Sequence, residues 1–223
     1  MEERIKIVGI NKRYSQRELY NNFNIEVVKG KVTCILGKSG CGKTTLLNLI
    51  CDKEEFKEDV SYIFQEDRLI PWLNVYKNIE FVIAKKYKKQ QRKKIIEKHL
   101  NMLNIEKYAN YYPEQLSGGI RQRVDIGRAF AYPCNILLMD EPFKSLDIKT
   151  RNDIITDFKE LIAKEEKTVI LVTHDVEEAI SLGQYIYIIG DEPVRILNYY
   201  EVSNYKNDIG TLIKYISQDY NSI

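Results

Sequence analysis

Gly37-Lys38-Ser39-Gly40-Cys41-Gly42-Lys43-Thr44 fills every fixed position of the phosphate-loop pattern G-x-x-x-x-G-K-[ST]. Its flanks satisfy the condition that gives the pattern meaning. Val32-Thr33-Cys34-Ile35-Leu36 before it is a short apolar, β-rich run, and Thr45-Leu46-Leu47-Asn48-Leu49-Ile50 after it reads as the start of a helix. Strand, glycine loop and helix in that order aim several backbone N–H groups and a helix N-terminus at one point, which suits polyphosphate. The nucleotide is therefore assigned to Gly37 through Thr45. Lys43 would reach the β- and γ-phosphates, and the Thr44 hydroxyl would bind Mg²⁺. A chance glycine-rich turn would lack both flanks. The chain is expected to bind a nucleoside triphosphate.

Three further apolar runs end in polar residues of the kind such a site needs. Ile136-Leu137-Leu138-Met139 is continuously apolar, as a strand buried on both faces of a parallel sheet should be, and it delivers Asp140-Glu141-Pro142. Strand ends on the carboxyl edge are where open α/β folds place ligands. Asp140 is the natural Mg²⁺ carboxylate and Glu141 the candidate base that polarises an attacking water. Thr168-Val169-Ile170-Leu171-Val172-Thr173 delivers His174, one of only two histidines, which can hydrogen-bond a γ-phosphate or orient water. Val60-Ser61-Tyr62-Ile63-Phe64 delivers Gln65, whose side chain offers a neutral oxygen to Mg²⁺. A strand-end histidine or glutamine alone is more often structural.

Leu116-Ser117-Gly118-Gly119-Ile120-Arg121-Gln122-Arg123 leads into a helical stretch through Phe130. A Ser-Gly-Gly turn at a helix N-terminus is a second anion-binding device, with hydroxyl, exposed N–H groups and helix dipole aimed together. One nucleotide seldom needs two such devices from one chain. A homodimer, in which Ser117, Gly118 and Gly119 close on the γ-phosphate held by the partner's loop, explains both.

At this point the chain resembles the ATP-binding-cassette (ABC) ATPases, whose signature reads LSGGQ or a close variant. The other motifs fall in that family's order: Tyr14 as an adenine-stacking aromatic, the phosphate loop, Gln65, the signature, Asp140-Glu141, Ser145-Leu146-Asp147 and His174. The resemblance covers about residues 4 to 197. It implies an α/β fold: a phosphate-loop NTPase core of mostly parallel sheet, a reduced antiparallel β-subdomain at 4–28 and a helical insertion at 66–115, all one nucleotide-binding domain over 1–223. The subdomain is expected to be reduced because Lys43 and Gln65 are only 22 residues apart, shorter than in the family, with the charged Cys51–Asp59 stretch standing where strands and a Gly/Pro turn normally lie. An ordinary surface role for Tyr14 remains open for the same reason.

Phe64-Gln65-Glu66-Asp67-Arg68-Leu69-Ile70-Pro71-Trp72-Leu73-Asn74-Val75 resembles the corresponding segment of import ATPases for nitrate, sulfonates and taurine. Trp72 with Leu69, Ile70 and Leu73 beside Glu66, Asp67 and Arg68 makes an apolar anchor with a polar rim. The resemblance implies that integral membrane permease subunits dock near Gln65–Trp72, with an extracytoplasmic solute-binding protein acting indirectly. The alternative is that Trp72 packs the helical insertion.

Whole-chain properties fit a subunit at the cytoplasmic face of the cell membrane. There is no eighteen-residue apolar run and no signal peptide, so membrane association is expected to pass through a partner. Lys and Arg number 34 against 32 acidic residues, a balance that does not suggest a nucleic-acid partner. The cysteines at 34, 41, 51 and 134 lack metal-ligand spacing. The basic run from Lys85 to Lys98 reads as the solvated side of a helix whose buried face holds Ile95, Ile96, Leu100 and Leu103, with weak attraction to anionic lipid as the alternative. Strands are expected at Tyr185–Ile189 and Val194–Leu197, then an amphipathic helix with Ile209, Leu212, Ile213 and Ile216 on one face. The resulting reading is ATP hydrolysis, with Mg²⁺, that powers an importer of a small anion. An exporter ATPase and a soluble cassette ATPase without a transport partner stay open.

Overall fold

Alternation along the strands divides the protein's interior in two. The computed structural model describes residues 2–205 and 208–222. Its main sheet has six strands in the order β4 (Val60–Ile63), β5 (Ile136–Asp140), β6 (Thr168–Thr173), β3 (Val32–Leu36), β7 (Tyr185–Gly190) and β8 (Arg195–Glu201). All neighbouring pairs are parallel except β7 and β8. Cys34, Leu36, Leu137, Met139, Val169 and Leu171 join one hydrophobic core, whereas their neighbours Ile35, Ile136, Leu138, Ile170 and Val172 join the other. Burial on both faces explains why these strands read as unbroken apolar runs.

One face is covered by α1 (Lys43–Cys51) and by an antiparallel hairpin, β1 (Arg4–Tyr14) and β2 (Arg17–Val28). Leu46, Leu47 and Ile50 of the helix meet Ile7, Leu19, Tyr20, Phe23 and Ile25 of the hairpin there. The antiparallel sheet has only these two strands, and Asp52–Asp59 is a chain of turns that returns directly to β4. The other face carries α2 (Val75–Ile83), α3 (Lys89–Met102), α4 (Gly118–Ala131), α5 (Ile148–Glu165), α6 (Val176–Leu182) and α7 (Ile209–Asn221). The architecture is thus α/β, a mostly parallel sheet with a small antiparallel sheet and helices on both sides.

Two expectations need correction. The last helix forms, but it buries only Leu212 and Ile216; Ile209 and Ile213 lie on an exposed stripe. Each pair is spaced i,i+4, and a 13-residue helix over a narrow contact can bury only one such line. The final strand starts at Arg195 and runs to Glu201, because its antiparallel pairing with β7 extends from Gly190↔Arg195 to Tyr185↔Glu201. In the basic segment, α3 buries Ile96, His99 and Leu100 and leaves most of its cations in solvent.

Phe158 of α5 stands edge-on to Phe130 of α4 at 5.8 Å and to Phe143 at 6.0 Å, tying the α4 helix to the turn that follows β5. It is fully buried. Phe158→Ala is expected to destabilise the fold by about 3–5 kcal/mol, read as a lowered urea midpoint at unchanged slope.

Candidate active site

Strand register brings the polar residues to one edge. Leu36 pairs with Thr173, so Gly37 and His174 emerge side by side. Asp140 pairs with Val172, and Met139 pairs with Ile63, which places Gln65 level with Glu141. The phosphate loop, Asp140-Glu141, Gln65 and His174 therefore share the carboxyl end of the parallel sheet.

Within the loop, the backbone at Gly42 has φ +108°, a left-handed conformation that favours glycine, and a Cβ there would press on Leu19 at 3.1 Å and on the Tyr20 hydroxyl at 3.2 Å. The Tyr20 hydroxyl donates to the Gly42 carbonyl at 3.1 Å, so the hairpin braces the loop directly. Lys43 is buried, and its Nζ donates to the carbonyls of Gly37 at 2.7 Å and Lys38 at 3.1 Å. Lys38, Ser39 and Gly40 project into solvent, Cys41 and Thr45 are half-buried, and Thr44 is exposed. The Thr44 hydroxyl donates to Asp140 Oδ1 at 3.0 Å.

The two neighbouring acids sit in opposite fields. Burial pushes the Asp140 carboxyl up, against the pull of the Thr44 hydroxyl. Burial also acts on Glu141, but Lys144, His174 and Lys43 outweigh it and hold that carboxyl below its ordinary range. Lys144 Nζ lies 2.7 Å from Glu141 Oε2, His174 Nδ1 lies 3.1 Å from the same oxygen, and Lys43 Nζ lies 3.6 Å from Oε1. Glu141 itself adopts φ +43°, a strained conformation for a glutamate at a strand end. Glu141 is thereby kept ionised, facing His174. Thr44 and Asp140 offer hard oxygen donors, and among the described residues no cluster of three or more His, Cys, Asp or Glu side chains forms a closed metal site. Mg²⁺ suits such a sparse set, since it takes few protein ligands and completes its shell with water and substrate phosphates.

Ser117 caps α4 and accepts from the Ile120 N–H at 3.5 Å; Ser117 and Gly118 are exposed. A Cβ on Gly119 would collide with the Thr150 methyl, so close packing of α4 on α5 requires glycine there. This helix belongs to the core on the sheet face opposite α1. Asp147 caps α5 through the Thr150 N–H at 3.0 Å, and Arg151 one turn later donates to Asp175 at 2.7 Å, linking the Ser145-Leu146-Asp147 turn to the histidine strand. Tyr14 closes the hairpin opposite Arg17, half exposed, with Lys12 Nζ 5.0 Å from its ring. Gln65 is exposed, and the segment after it is pinned by Asn78, which holds Ile70 and Leu73, and by Arg121 on Asp67 at 2.9 Å. Trp72 is 76% exposed, so it does not pack the helical insertion.

Sequence reasoning missed three residues here. Lys144 was legible as a cation three positions after Glu141 on a turn. Tyr20 and Tyr62 carried no local signal. The Tyr62 phenol is pushed up by burial and then by the Asp140 carboxylate, and its ring stacks on Phe64 at 4.1 Å.

Such an edge, glycine loop and acid pair define a phosphate-loop nucleoside triphosphatase. The family model described as ABC transporter matches residues 20–144. The chain is 36% identical over 216 residues to an ABC transporter ATP-binding protein of Methanocaldococcus jannaschii, covering 88% of this chain and 81% of that one. It is 34% identical over 213 residues to an aliphatic sulfonates import ATP-binding protein of Bacillus cereus, covering 86% and 83%. Among solved structures, a dimeric ATP-binding cassette in a post-hydrolysis state bound to ADP and Pi matches with TM-score 0.75 at 29% identity, over 89% of this chain and 99% of that one. The chain belongs to the ABC transporter ATP-binding family, and it is an ATPase.

Gly42→Ala forces a side chain onto a left-handed backbone and against Leu19 and Tyr20. It is expected to destabilise the fold by about 1–3 kcal/mol and to weaken binding of a fluorescent ATP analogue by at least about tenfold, a 1.4 kcal/mol loss. Glu141 gives a second expectation. Its folded carboxyl ionises below the ordinary range, so its stabilising pairings are complete above that range and are lost as pH falls through the folded value. Urea midpoints taken from about pH 5 to about pH 3 should fall more steeply for the parent than for Glu141→Gln.

Proposed function

We propose that this chain hydrolyses ATP at two composite sites in a homodimer and thereby drives an ABC importer for a small organic or inorganic anion. The observation that carries the dimer is the placement of α1 and α4 on opposite faces of one sheet. A serine on one face is poorly placed to complete the nucleotide site begun on the other, whereas a second copy in head-to-tail register can do so. In each site the loop from Gly37 to Thr45 holds the phosphates, and Tyr14 stacks on the base. Ser117, Gly118 and Gly119 of the partner subunit cap the γ-phosphate. Thr44, Asp140 and Gln65 would hold Mg²⁺, which would supply charge neutralisation on the transferring phosphoryl group. Glu141, held ionised, polarises the attacking water, and His174 steadies both the Glu141 carboxylate and the γ-phosphate. Lys43 exchanges its two carbonyl partners for phosphate oxygens when ATP enters.

Closure assembles the sites and hydrolysis releases them, a two-state element to which a permease can couple. No helix among the described residues is long and apolar enough to cross a membrane. We place the chain at the cytoplasmic membrane face through permease subunits docked near Gln65–Trp72, a reading supported by its resemblance to import ATP-binding proteins. An extracytoplasmic protein would deliver the solute. Resemblance to the sulfonate importer supports the anion class.

Light scattering after size exclusion tests the composite site. Glu141→Gln with ATP and no Mg²⁺ should shift from monomer to dimer, and adding Ser117→Arg should abolish the shift. With Mg²⁺, Glu141→Gln should bind ATP while turning over about 10²–10⁴-fold more slowly. A monomer throughout, despite saturating ATP, would remove the two-subunit site.

A further inference from the structure

Tyr62 lies beside Asp140 with a hydroxyl that the fold leaves idle. On β4 it pairs with Leu138 of β5, and both pack in the core that α1 covers. Side chains alternate along a strand, so Asp140, two positions beyond Leu138, faces the same way. Tyr62 and Asp140 are therefore diagonal cross-strand neighbours, a spacing that an aromatic side chain can span. Burial, and after it the Asp140 carboxylate, push the Tyr62 phenol up, as expected for a hydroxyl near a negative charge. The hydroxyl oxygen is buried and has no hydrogen-bond partner. Asp140 is itself buried, and its Oδ1 already accepts from the Thr44 hydroxyl at 3.0 Å.

The ring has a second neighbour. Phe64, two residues on, stacks on it at 4.1 Å with the planes 18° apart, and the Arg68 guanidinium carbon stands 3.5 Å from the Phe64 ring centroid. Gln65 follows Phe64 directly, so the stack that begins at Tyr62 also carries the segment bearing Gln65. Packing alone would not select tyrosine here. Phenylalanine would make the same stack and fill the same space, whereas a buried hydroxyl without a partner destabilises a fold. What the hydroxyl adds is one O–H donor beside a carboxylate.

We propose that Tyr62 is a positioning residue for the divalent cation of the nucleotide site: its hydroxyl supplies Asp140 with a donor in addition to Thr44, while its ring steadies the Phe64-Gln65 segment. The proposal rests on the reading above that Thr44, Asp140 and Gln65 take Mg²⁺, and it deepens that reading by naming what holds two of the three. A carboxylate that ligates a metal is itself hydrogen-bonded, and the outer bond sets its orientation and basicity. Thr44 is the donor that Asp140 has in the structure, and Thr44 belongs to the loop that nucleotide occupies. Tyr62 instead ties the carboxylate to β4, a strand that carries no phosphate-loop residue. One side chain thereby presents the Asp140 and Gln65 oxygens together, whether or not phosphate is bound.

The test compares the parent with Tyr62→Phe, which keeps the stack, with Asp140→Asn and with the double variant. Mn²⁺ stands in for Mg²⁺, and with protein in excess over a non-hydrolysable ATP analogue the free Mn²⁺ is read by electron paramagnetic resonance. A fluorescent form of the analogue, titrated in EDTA, gives the metal-free affinity. Tyr62→Phe should leave the affinity in EDTA unchanged and the urea midpoint at or above the parent's. It should raise the Mn²⁺ dissociation constant about tenfold. Asp140→Asn should raise that constant further, and the double variant should match Asp140→Asn, because the phenol acts through the carboxylate. Parental Mn²⁺ affinity in Tyr62→Phe, beside a loss in Asp140→Asn, overturns the proposal and makes Tyr62 a packing residue. An equal loss with and without metal overturns it as well, by showing a general distortion of the fold, and so does additivity in the double variant. If Asp140→Asn itself binds Mn²⁺ as the parent does, the metal reading fails, and this proposal with it.

Discussion

Burial of a parallel sheet on both faces is the constraint on which the rest of this molecule depends. Five parallel strands with apolar side chains above and below have no room for chemistry along their length. Every polar residue that acts on a ligand must wait until the strand ends, and parallel pairing ensures that the ends coincide. Gly37, Gln65, Asp140, Glu141 and His174 come from four strands separated by more than a hundred residues of chain, yet register alone brings them to one edge. The same double burial forces two helical layers, and with them the separation of α1, which follows the glycine loop, from the serine-capped α4.

At that edge the fold creates contrast between neighbours. Asp140 and Glu141 are adjacent in sequence, but one carboxylate meets a neutral hydroxyl and the other meets two ammonium groups and an imidazole. Burial raises the first and charge lowers the second. The first is thereby suited to a cation that would relieve its desolvation, and the second to accepting a hydrogen bond from water without taking its proton outright. The carbonyl oxygens of Gly37 and Lys38 hold the buried Lys43 ammonium, with the Glu141 carboxylate 3.6 Å away.

The parallel strands, the phosphate loop, the acid pair and the helix that Ser117 caps were legible in the sequence because each is a local pattern with one physical reading. Unbroken apolar runs mean two-sided burial, and a glycine loop between strand and helix means anion binding. The shortened Cys51–Asp59 stretch likewise announced a reduced antiparallel subdomain, which the structure builds from two strands. What escaped was set by contacts between distant segments. Tyr20 braces Gly42 across 22 positions, and Tyr62 meets Asp140 only once β4 pairs with β5. The misplaced face of the last helix has a similar cause. Ile209, Leu212, Ile213 and Ile216 make a plausible stripe on a helical wheel, but the narrow surface offered by α6 and β7 decides which half of it is covered.

A two-stranded ribbon is marginal by itself, and this one keeps its shape by leaning on the phosphate loop and α1. Tyr20 and Leu19 are the points of contact with Gly42. Order in the ribbon and order in the loop are therefore reciprocal quantities. A ligand that stiffens the loop must slow the opening of amides in β2 by the same free energy with which an ordered β2 tightens the ligand. The amino-terminal ribbon is thereby coupled to the phosphate loop through Leu19 and Tyr20.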